Sequence, residues 1–386
     1  MNPFYYYVPT QVYFGKGQLE RLPEVVLPYG KRVLLVYDAC IKSFGLYEKL
    51  AGLLRAKGIE WVELTNIEPN PQIGPVREGV RICKEQGIGA LLAVGGGSTI
   101  DTCKTISAGA KSETDVWELI VHPNLISDAL PVFVVGTIAA TGSEMDCIAV
   151  ISDKTKQIKQ GSYSLYYYPK AAFLDPENTF SVPPGQTAAG TADIMSHVFE
   201  NYFSHVRGAY LQLRYSEAIL KTCIHYGPIA LREPENYEAR ANLMWAASWA
   251  MNGLVRLGND AETAVHPLAN TLTAHYGTTH GVALAVLTPF WMEYSLNGDT
   301  VWKYREFAVN VWGLDANTEE HSLALQAIQK TREFFRSMGL PATLGELGVG
   351  AEKLELMAEQ AASPALLNAF VPMTKEDILR IYRMAL

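Results

Sequence analysis

Three of the chain's eight histidines lie close together in sequence, within residues 264–281. They are His266, His275 and His280, and imidazole nitrogen is a common ligand of divalent transition metals. Two ligands of one metal ion each lie about 2 Å from it. One straight helix would hold His266 and His280 about 21 Å apart along its axis, at about 1.5 Å rise per residue. These two side chains can therefore share an ion only if the helix breaks between them.

The sequence between the two histidines offers such a break. Gly277 can end a helix in the left-handed backbone conformation, and Thr278 or Thr279 can cap the next helix. A chain that turns there can bring His280 back toward a metal-binding partner. We therefore predict two helices across this stretch.

Asp193 and His197 provide the partner, because they occupy positions i and i+4 on one face of a predicted helix. With His266 and His280 they offer one carboxylate oxygen and three imidazole nitrogens, a donor set that suits Zn²⁺ or Fe²⁺. His275 has no acidic or histidine neighbour at ligand spacing, so we expect it to be structural or exposed. The pattern alone leaves a second interpretation open, in which the histidines only make hydrogen bonds.

A glycine loop between an apolar strand and a helix predicts an anion site. It lies in "AVGGGSTIDTCK", residues 93–104, and its core is Gly95, Gly96, Gly97 and Ser98. Backbone N–H groups of consecutive glycines can converge on a pyrophosphate, and the helix N-terminus adds partial positive charge. The alternative is a tight turn without a ligand.

Two further features follow strand ends. Asp38 ends the run "VLLVYD", where a carboxylate can accept both ribose hydroxyls of an adenosine and would repel a 2′-phosphate, which favours NAD over NADP. Thr137, Thr141 and Ser143 lie in "GTIAATGSE", residues 136–144. Their hydroxyls could contact phosphates or nicotinamide, although a turn-forming Asp and loop-capping hydroxyls remain the simpler alternatives.

The elements that must position these residues fall into two halves. Apolar strands predicted at 31–38, 60–65, 90–96 and 131–137 alternate with helical patterns, which indicates a parallel sheet. Beyond the proline- and glycine-rich segment 175–190 we expect no strand. The helical patterns there are 187–204, 210–231, 236–257, 261–275, 281–295, 318–338 and 351–361. The sequence thus predicts an α/β domain over residues 1–184 and an all-α domain over residues 185–386.

Composition limits the function classes. A chain of 386 residues with 48% hydrophobic and 19% charged residues is typical of a two-domain globular protein. A net charge of −8 argues against binding to nucleic acid or to anionic membranes. We expect no transmembrane helix and no secretory signal. The five scattered cysteines favour a reduced, cytoplasmic environment.

The order GGGS-x-x-D, then D-x3-H, then H-x13-HG resembles the iron-containing (group III) alcohol dehydrogenases over nearly the full chain. "AATGSE", "LDPENT", "EPENYEARANLMWAA" and "HGVALAVLTPFW" resemble its branch of butanol dehydrogenases and broad-range aldehyde reductases. The resemblance implies a Rossmann-like domain followed by a helical domain, the architecture shared with dehydroquinate synthase. It implies hydride transfer between a nicotinamide cofactor, NAD(H) favoured, and a small primary alcohol or aldehyde.

The resemblance also implies roles for individual residues. The metal ligands, around which catalysis takes place, would be Asp193, His197, His266 and His280. The cofactor-binding residues would be Gly95, Gly96, Gly97 and Ser98 with Asp101 beside them, Thr137, Thr141 and Ser143, Lys159 near the nicotinamide ribose, and Asn70 near the adenosine end.

Two positions depart from patterns within the family. Members that use NADPH often carry a glycine- and serine-rich segment where this chain has "YDAC", so Asp38 resembles the NAD-using members. Many members have a proton-relaying histidine where this chain has Asn270. An amide cannot take up a proton near neutral pH, so the proton must leave through water, ribose hydroxyls or another group.

Other functions and the oligomeric state need separate predictions. A dehydroquinate synthase-like lyase would need basic residues around a phosphorylated substrate, and Arg214, Lys221, Arg232 and Arg256 are dispersed. A non-catalytic dinucleotide-binding protein would leave the metal ligands unexplained. The tyrosine-rich start, "FYYYVPTQVYFGKG", predicts an exposed edge strand that pairs with a second copy to form a homodimer.

Overall fold

The chain divides into two compact units. The computed structural model describes residues 1–65, 67–260 and 262–386. The α/β unit comprises Tyr7–Val182 and Pro234–Asn252. The helical unit comprises Met1–Tyr6, Pro183–Glu233 and Gly253–Leu386.

The α/β unit is built on a six-stranded parallel sheet. The strands of the described residues are β1 (Gln11–Phe14), β2 (Arg32–Tyr37), β3 (Glu60–Leu64), β4 (Ala90–Gly95), β5 (Val132–Gly136), β6 (Ile148–Asp153), β7 (Ile158–Tyr163) and β8 (Ala171–Leu174). The sheet order is β1-β8-β5-β4-β2-β3, and β6 and β7 form a separate antiparallel hairpin. The four predicted strands are confirmed as β2, β3, β4 and β5. The short strand β8 has too few residues to show a periodic pattern and was not predicted.

The α-helices of the described residues are α1 (Leu22–Val26), α2 (Leu46–Ala56), α3 (Ile73–Gln86), α4 (Gly97–Gly109), α5 (Val116–Val121), α6 (Pro184–Tyr202), α7 (Tyr210–Arg232), α8 (Tyr237–Met251), α9 (Val265–Tyr276), α10 (His280–Ser295), α11 (Val301–Asn310), α12 (Glu320–Ser337), α13 (Leu354–Ala361) and α14 (Lys375–Met384). None of them is long and apolar enough to cross a membrane.

Helices cover both faces of the sheet, which explains why the central strands are apolar throughout. In β2, Leu34 and Val36 belong to the buried cluster that includes α3 and α4. The alternating residues Val33 and Leu35 belong to a second cluster that includes Leu50 of α2. Each such side chain contributes about 1.5–3 kcal/mol when fully buried, so both faces stabilise the sheet.

The helical unit contains no strand among its described residues, as predicted. The predicted helical patterns beyond residue 185 correspond to α6 to α10, α12 and α13. The pattern 261–275 corresponds to α9, which starts at Val265. Ala261, the first residue of that pattern, lies outside the described residues. The helices α11 and α14 were not predicted. In α14 a capping box joins Thr374 and Asp377, which is a local signal that the apolar spacing alone did not provide.

The helix α8 is the main departure from the predicted division. The sequence placed one boundary after residue 184 and assigned pattern 236–257 to the helical domain, whereas α8 lies in the α/β unit. Ser248 of α8 donates a hydrogen bond to the buried carboxylate of Glu144. Gly142 also approaches α8 closely, because a Cβ there would lie 2.4 Å from the carbonyl oxygen of Ala247. Apolar periodicity identifies a helix but does not say which unit it packs against.

The backbones of α6 and α10 approach each other closely at Gly281. A Cβ at this position would lie 2.0 Å from the carbonyl oxygen of Ala189. Neither atom belongs to a flexible side chain, so the two helices would have to separate to accept any larger residue. This contact sets the distance between the helix that carries Asp193 and the one that begins with His280.

We expect Gly281→Ala to lower the free energy of unfolding by roughly 1–3 kcal/mol, because overpacking forces the backbones of α6 and α10 apart. Denaturant unfolding measures the change. Gly185→Ala is the control, since Gly185 lies in α6, the other helix of this contact, and a Cβ there meets nothing within 4 Å. Equal stability of the two variants would contradict the close approach.

Candidate functional site

The predicted break between the two histidine-bearing helices is confirmed. The helix α9 ends at Tyr276, and Gly277 follows in the left-handed conformation with φ 68°. Its N–H donates to the carbonyl of Thr273 at 2.9 Å, which satisfies one of the last carbonyls of α9. The next helix begins at His280 after Thr279. The ring centroids of His266 and His280 consequently lie only 5.3 Å apart.

Asp193 and His197 lie on one face of α6, as their spacing predicts. Both are buried, with 3% and 7% of their surface exposed. The Nε2 atom of His197 lies 3.6 Å from Oδ1 of Asp193. Burial lowers the pKa of His197 to about 4. This imidazole is therefore neutral at neutral pH and retains a lone pair on one ring nitrogen.

The structure brings Asp193, His266 and His280 together as a donor group. One ligand atom from each of them lies within 4.8 Å of the others. Since ligands of one ion lie about 2 Å from it, this spacing is close to what a single bound cation requires. His197 lies beside the group, with its ring stacked on that of His266 and the centroids 4.7 Å apart. Its role as a fourth ligand stays a prediction.

Two buried atoms of this site have no hydrogen-bond partner in the described part of the chain. They are Oδ1 of Asp193 and Nδ1 of His197. A buried polar atom without a partner costs about 1–3 kcal/mol. Coordination of a cation by Asp193 would remove part of that cost. The donor types, their spacing and these atoms fit a divalent metal.

Glu200 is a residue of this site that the sequence analysis missed. Its buried carboxylate lies 2.5 Å from Nδ1 of His266 through Oε2. Burial alone would raise the pKa of Glu200, but its electrostatic interaction and hydrogen bonds with His266 and the N–H of Val265 hold the pKa below its usual value. A signal was present in the sequence, because Glu200 follows His197 by three residues and lies on the same face of α6.

Three of the predicted cofactor features follow strands that are neighbours in the sheet. Asp38 follows β2, the glycine loop follows β4, and Thr137 follows β5. Tyr37 pairs with Val94 across β2 and β4. In the sheet, β3 lies on one side of β2 and β4 on the other, so the order in which strands are added reverses between β2 and β4. Doubly wound sheets bind ligands at such a reversal of strand order. The carboxyl ends of β2 and β4 therefore form a candidate dinucleotide site.

The glycine loop is tightly packed as well as suited to an anion. A Cβ at each of its three glycines would meet a side chain at 2.5 Å: Thr99 for Gly95, Ile138 for Gly96 and Thr141 for Gly97. Gly96 is the N-cap of α4 and makes no side-chain capping hydrogen bond. Both interpretations of the loop are thus compatible with its geometry, since packing requires the glycines and the helix N-terminus favours an anion.

Asp38 has the turn-forming contact that the simpler interpretation expects. Its Oδ1 accepts a hydrogen bond from the N–H of Cys40 at 3.1 Å and caps the short 3₁₀ helix that follows β2. Asn70 and Lys159, which only the resemblance singled out, lie together. Lys159 Nζ donates to Oδ1 of Asn70 at 3.2 Å, and Asn70 has a left-handed backbone with φ 58°.

Asp101 and Ser143 belong to a hydrogen-bonded network within the α/β unit. Ser143 Oγ donates to Asp101 at 2.7 Å and accepts from Lys104 Nζ at 2.8 Å. Lys104 is fully buried and pairs with Asp146 at 2.5 Å. These contacts join α4 to the segment before β6. A cofactor role for Asp101 and Ser143 stays a prediction, and their observed partners are protein groups. The sequence did not predict that Lys104 belongs to a buried hydrogen-bonded network.

The two remaining threonines and His275 have clear surroundings. Thr141 Oγ1 accepts a hydrogen bond from the N–H of Ser143 at 3.2 Å, so this hydroxyl stabilises its own loop. Its predicted contact with the cofactor stays a prediction. Thr137 is buried, and its N–H donates to the carbonyl of Gly95 at 3.2 Å. His275 lies outside the donor group and hydrogen-bonds Gln360 through Nε2 at 2.6 Å.

Comparison with known proteins identifies the family. Residues 9–176 match the model of the iron-containing alcohol dehydrogenases, and residues 187–386 match the C-terminal model of the Fe-containing alcohol dehydrogenase family. The chain is 48% identical to the NADH-dependent butanol dehydrogenase A of Clostridium acetobutylicum, covering 99% of both proteins. It is 37% identical to the NADPH-dependent aldehyde reductase YqhD of Escherichia coli, covering 93% of both.

The fold agrees with this match. The crystal structure of the NADH-dependent butanol dehydrogenase A of Thermotoga maritima superimposes with a TM-score of 0.95 at 32% identity, over 100% of this chain and 99% of that one. These findings support a dehydrogenase over a lyase or a non-catalytic binding protein, and they confirm the resemblance seen in the sequence motifs. The chain belongs to the iron-containing alcohol dehydrogenase family and is an NAD(P)-dependent alcohol dehydrogenase.

Proposed function

We propose that this enzyme interconverts small primary alcohols and aldehydes in a metal-dependent reaction that favours NAD(H) over NADP(H). The observation that carries the proposal is the group of donor atoms from Asp193, His266 and His280, with His197 beside it. A bound divalent metal would supply Lewis acidity toward the substrate oxygen, and a bound nicotinamide would supply or accept the hydride. Fe²⁺ and Zn²⁺ both accept such a donor set.

The protein's own groups have three tasks in this proposal. Asp193 contributes a carboxylate oxygen, and the imidazoles, which bind a metal ion only in their neutral form, contribute lone pairs. The buried environment of Asp193 and His197 excludes water, which strengthens electrostatic interactions.

Asn270 follows His266 by four residues on α9, and its amide cannot accept a proton. Proton exchange must therefore involve water or another group.

The names of the relatives support the substrate class and leave the cofactor open. A relative at 48% identity is named for NADH and butanol, whereas the one at 37% is named for NADPH and aldehydes. The preference for NAD(H) in this chain is supported by Asp38, whose carboxylate follows β2 at the point where the strand order reverses. A carboxylate there favours a free ribose 2′-hydroxyl over a 2′-phosphate.

We further propose that two copies pair through β1, one of the two outer strands of the six-stranded sheet. The N–H groups of Gln11 and Gly15 donate to carbonyls at the two ends of β8. Since alternate N–H groups of a strand point in opposite directions, those of Val12 and Phe14 point away from β8. Outer strands with such N–H groups readily pair with another chain.

A reduced, cytoplasmic location is also proposed. It is supported by the five cysteines, all of which are free and four of which are buried. Free cysteines of this kind are typical of proteins in reducing compartments. Cell fractionation of the source organism tests the location, and recovery of the protein in the medium would contradict it.

We expect metal-stripped enzyme to oxidise NADH with butanal only after Fe²⁺ or Zn²⁺ is added, because the donor group alone does not polarise a carbonyl. His280→Ala should lose tightly bound metal and reduce kcat/KM by more than about 100-fold, since loss of an outer partner of a metal ligand already costs about 10–100-fold. Metal analysis and initial rates measure both effects. His275→Ala is the control, because His275 lies in the same segment but outside the donor group. Full activity of His280→Ala would refute the metal assignment.

For cofactor preference, we expect Asp38→Gly to raise the ratio of kcat/KM for NADPH to that for NADH by at least about tenfold, or about 1.4 kcal/mol. The reason is removal of the charge that repels a 2′-phosphate. Asp128→Gly controls for overall charge, because Asp128 is an exposed acidic residue before β5. If both variants shift the ratio equally, Asp38 has no specific role.

For the oligomeric state, we expect light scattering after gel filtration to give twice the chain mass, and Val12→Pro to shift the protein toward monomer. Proline removes the N–H of Val12 that points away from β8 while the bonds from Gln11 and Gly15 remain. Val12→Ala loses similar side-chain packing and keeps the N–H, so it should stay dimeric. A wild-type monomer, or a Val12→Pro dimer of undiminished stability, would rule out pairing through β1.

A further inference from the structure

Glu200 divides its two carboxylate oxygens between two tasks. Oε1 accepts hydrogen bonds from three consecutive backbone N–H groups, those of Ala264 at 2.9 Å, Val265 at 2.5 Å and His266 at 2.9 Å. Oε2 lies 2.5 Å from Nδ1 of the His266 ring. The residue is 3% exposed. One side chain of α6 thus holds both the backbone and the ring of a residue in α9.

The first task replaces a missing helix cap. The N-cap of α9 is Ala264, which has no side-chain oxygen and makes no capping hydrogen bond. The first N–H groups of a helix need acceptors, and negative charge is stabilised at this end of the helix dipole. The Oε1 atom of Glu200 supplies the acceptor from another helix. This explains how a carboxylate is kept ionised in a buried position, where an uncompensated charge would be costly.

The second task determines which nitrogen of His266 carries a proton. An ionised carboxylate can only accept hydrogen bonds, so the ring nitrogen facing Oε2 must be the donor. In neutral imidazole one nitrogen is a donor and the other has the lone pair. Nδ1 therefore bears the hydrogen, and Nε2 carries the lone pair that a metal ion requires.

We propose that Glu200 is a positioning residue that locks His266 as the Nδ1–H tautomer and fixes its ring relative to Asp193, so that Nε2 acts as the metal-binding atom. The proposal rests on the metal-dependent function proposed above. Asp193, His197 and Glu200 lie on one helix, so the same element that provides two candidate ligands also orients a third from α9. Carboxylates in this position raise metal affinity by orienting the histidine and increasing its basicity.

Glu200→Gln separates the two tasks of the side chain. The amide oxygen can still accept from the three backbone N–H groups, and this orientation retains three hydrogen bonds where the flipped one retains a single bond. The amide NH₂ then faces Nδ1 of His266 and can only donate to it. The ring must change to the Nε2–H tautomer, which has no lone pair on the metal-binding atom. We therefore expect weaker metal binding with little loss of the helix cap.

The first experiment measures Zn²⁺ affinity by chelator competition, and thermal unfolding of the metal-free protein. We expect Glu200→Gln to weaken Zn²⁺ binding by about 10–100-fold. Glu217→Gln is the matched control: Glu217 is also a buried glutamate, but it accepts from Tyr202, Asn310 and Arg214, outside the donor group. Its Zn²⁺ affinity should change less than about twofold. Wild-type Zn²⁺ affinity in folded Glu200→Gln would overturn the proposal and leave Glu200 with the capping task alone.

A second measurement does not depend on how the variant folds. Long-range proton–nitrogen NMR correlations of the metal-free wild-type protein, assigned with His266→Gln, report which ring nitrogen of His266 bears the proton. We expect protonated Nδ1 and unprotonated Nε2. A predominant Nε2–H tautomer would overturn the proposal even if Glu200→Gln is unstable. If wild-type protein binds no Zn²⁺, the proposed metal function fails, while this measurement still decides whether Glu200 sets the tautomer.

Discussion

The contact between the backbones of α6 and α10 is the constraint on which the candidate metal centre depends. Three of its donor atoms come from three helices, so their separation is set by how closely those helices pack. The absence of a side chain at Gly281 allows His280 to start α10 next to the turn of α6 that carries Asp193. The left-handed Gly277 then ends α9, so that a new helix can begin at His280. Both glycines act through the geometry of the backbone, and neither contributes a ligand atom.

Buried charge is compensated in each unit by several hydrogen bonds at once. In the helical unit Glu200 accepts from three backbone N–H groups and contacts His266. In the α/β unit Lys104 donates to Ser143, Asp146 and the carbonyl of Ile148. Such groups would be strongly destabilising without partners. Glu200 and Lys104 each join elements that carry candidate site residues. Their hydrogen bonds therefore compensate the buried charges and also position the site.

Much of the fold followed from local pattern. The apolar runs that form β2, β4 and β5 predicted a parallel sheet covered on both faces, because such strands leave no polar face for solvent. The glycine loop and Asp38 were correctly expected at strand ends. The tertiary structure added that these ends meet where the strand order reverses, since pairing between distant strands has no counterpart in short-range periodicity. It also assigned α8 to the α/β unit, through Gly142 and the contact between Glu144 and Ser248.

For the metal centre, the sequence by itself determined the candidate ligands and the helix break. The i, i+4 pair on α6 and the glycine after α9 are local signals with a direct geometric meaning. Only the tertiary structure decided that Asp193, His266 and His280 converge, that His197 stacks beside them, and that Glu200 bonds His266. The physical reason is that these contacts depend on the packing distance and rotation of α6, α9 and α10, which are set by side chains and backbones far apart in the chain.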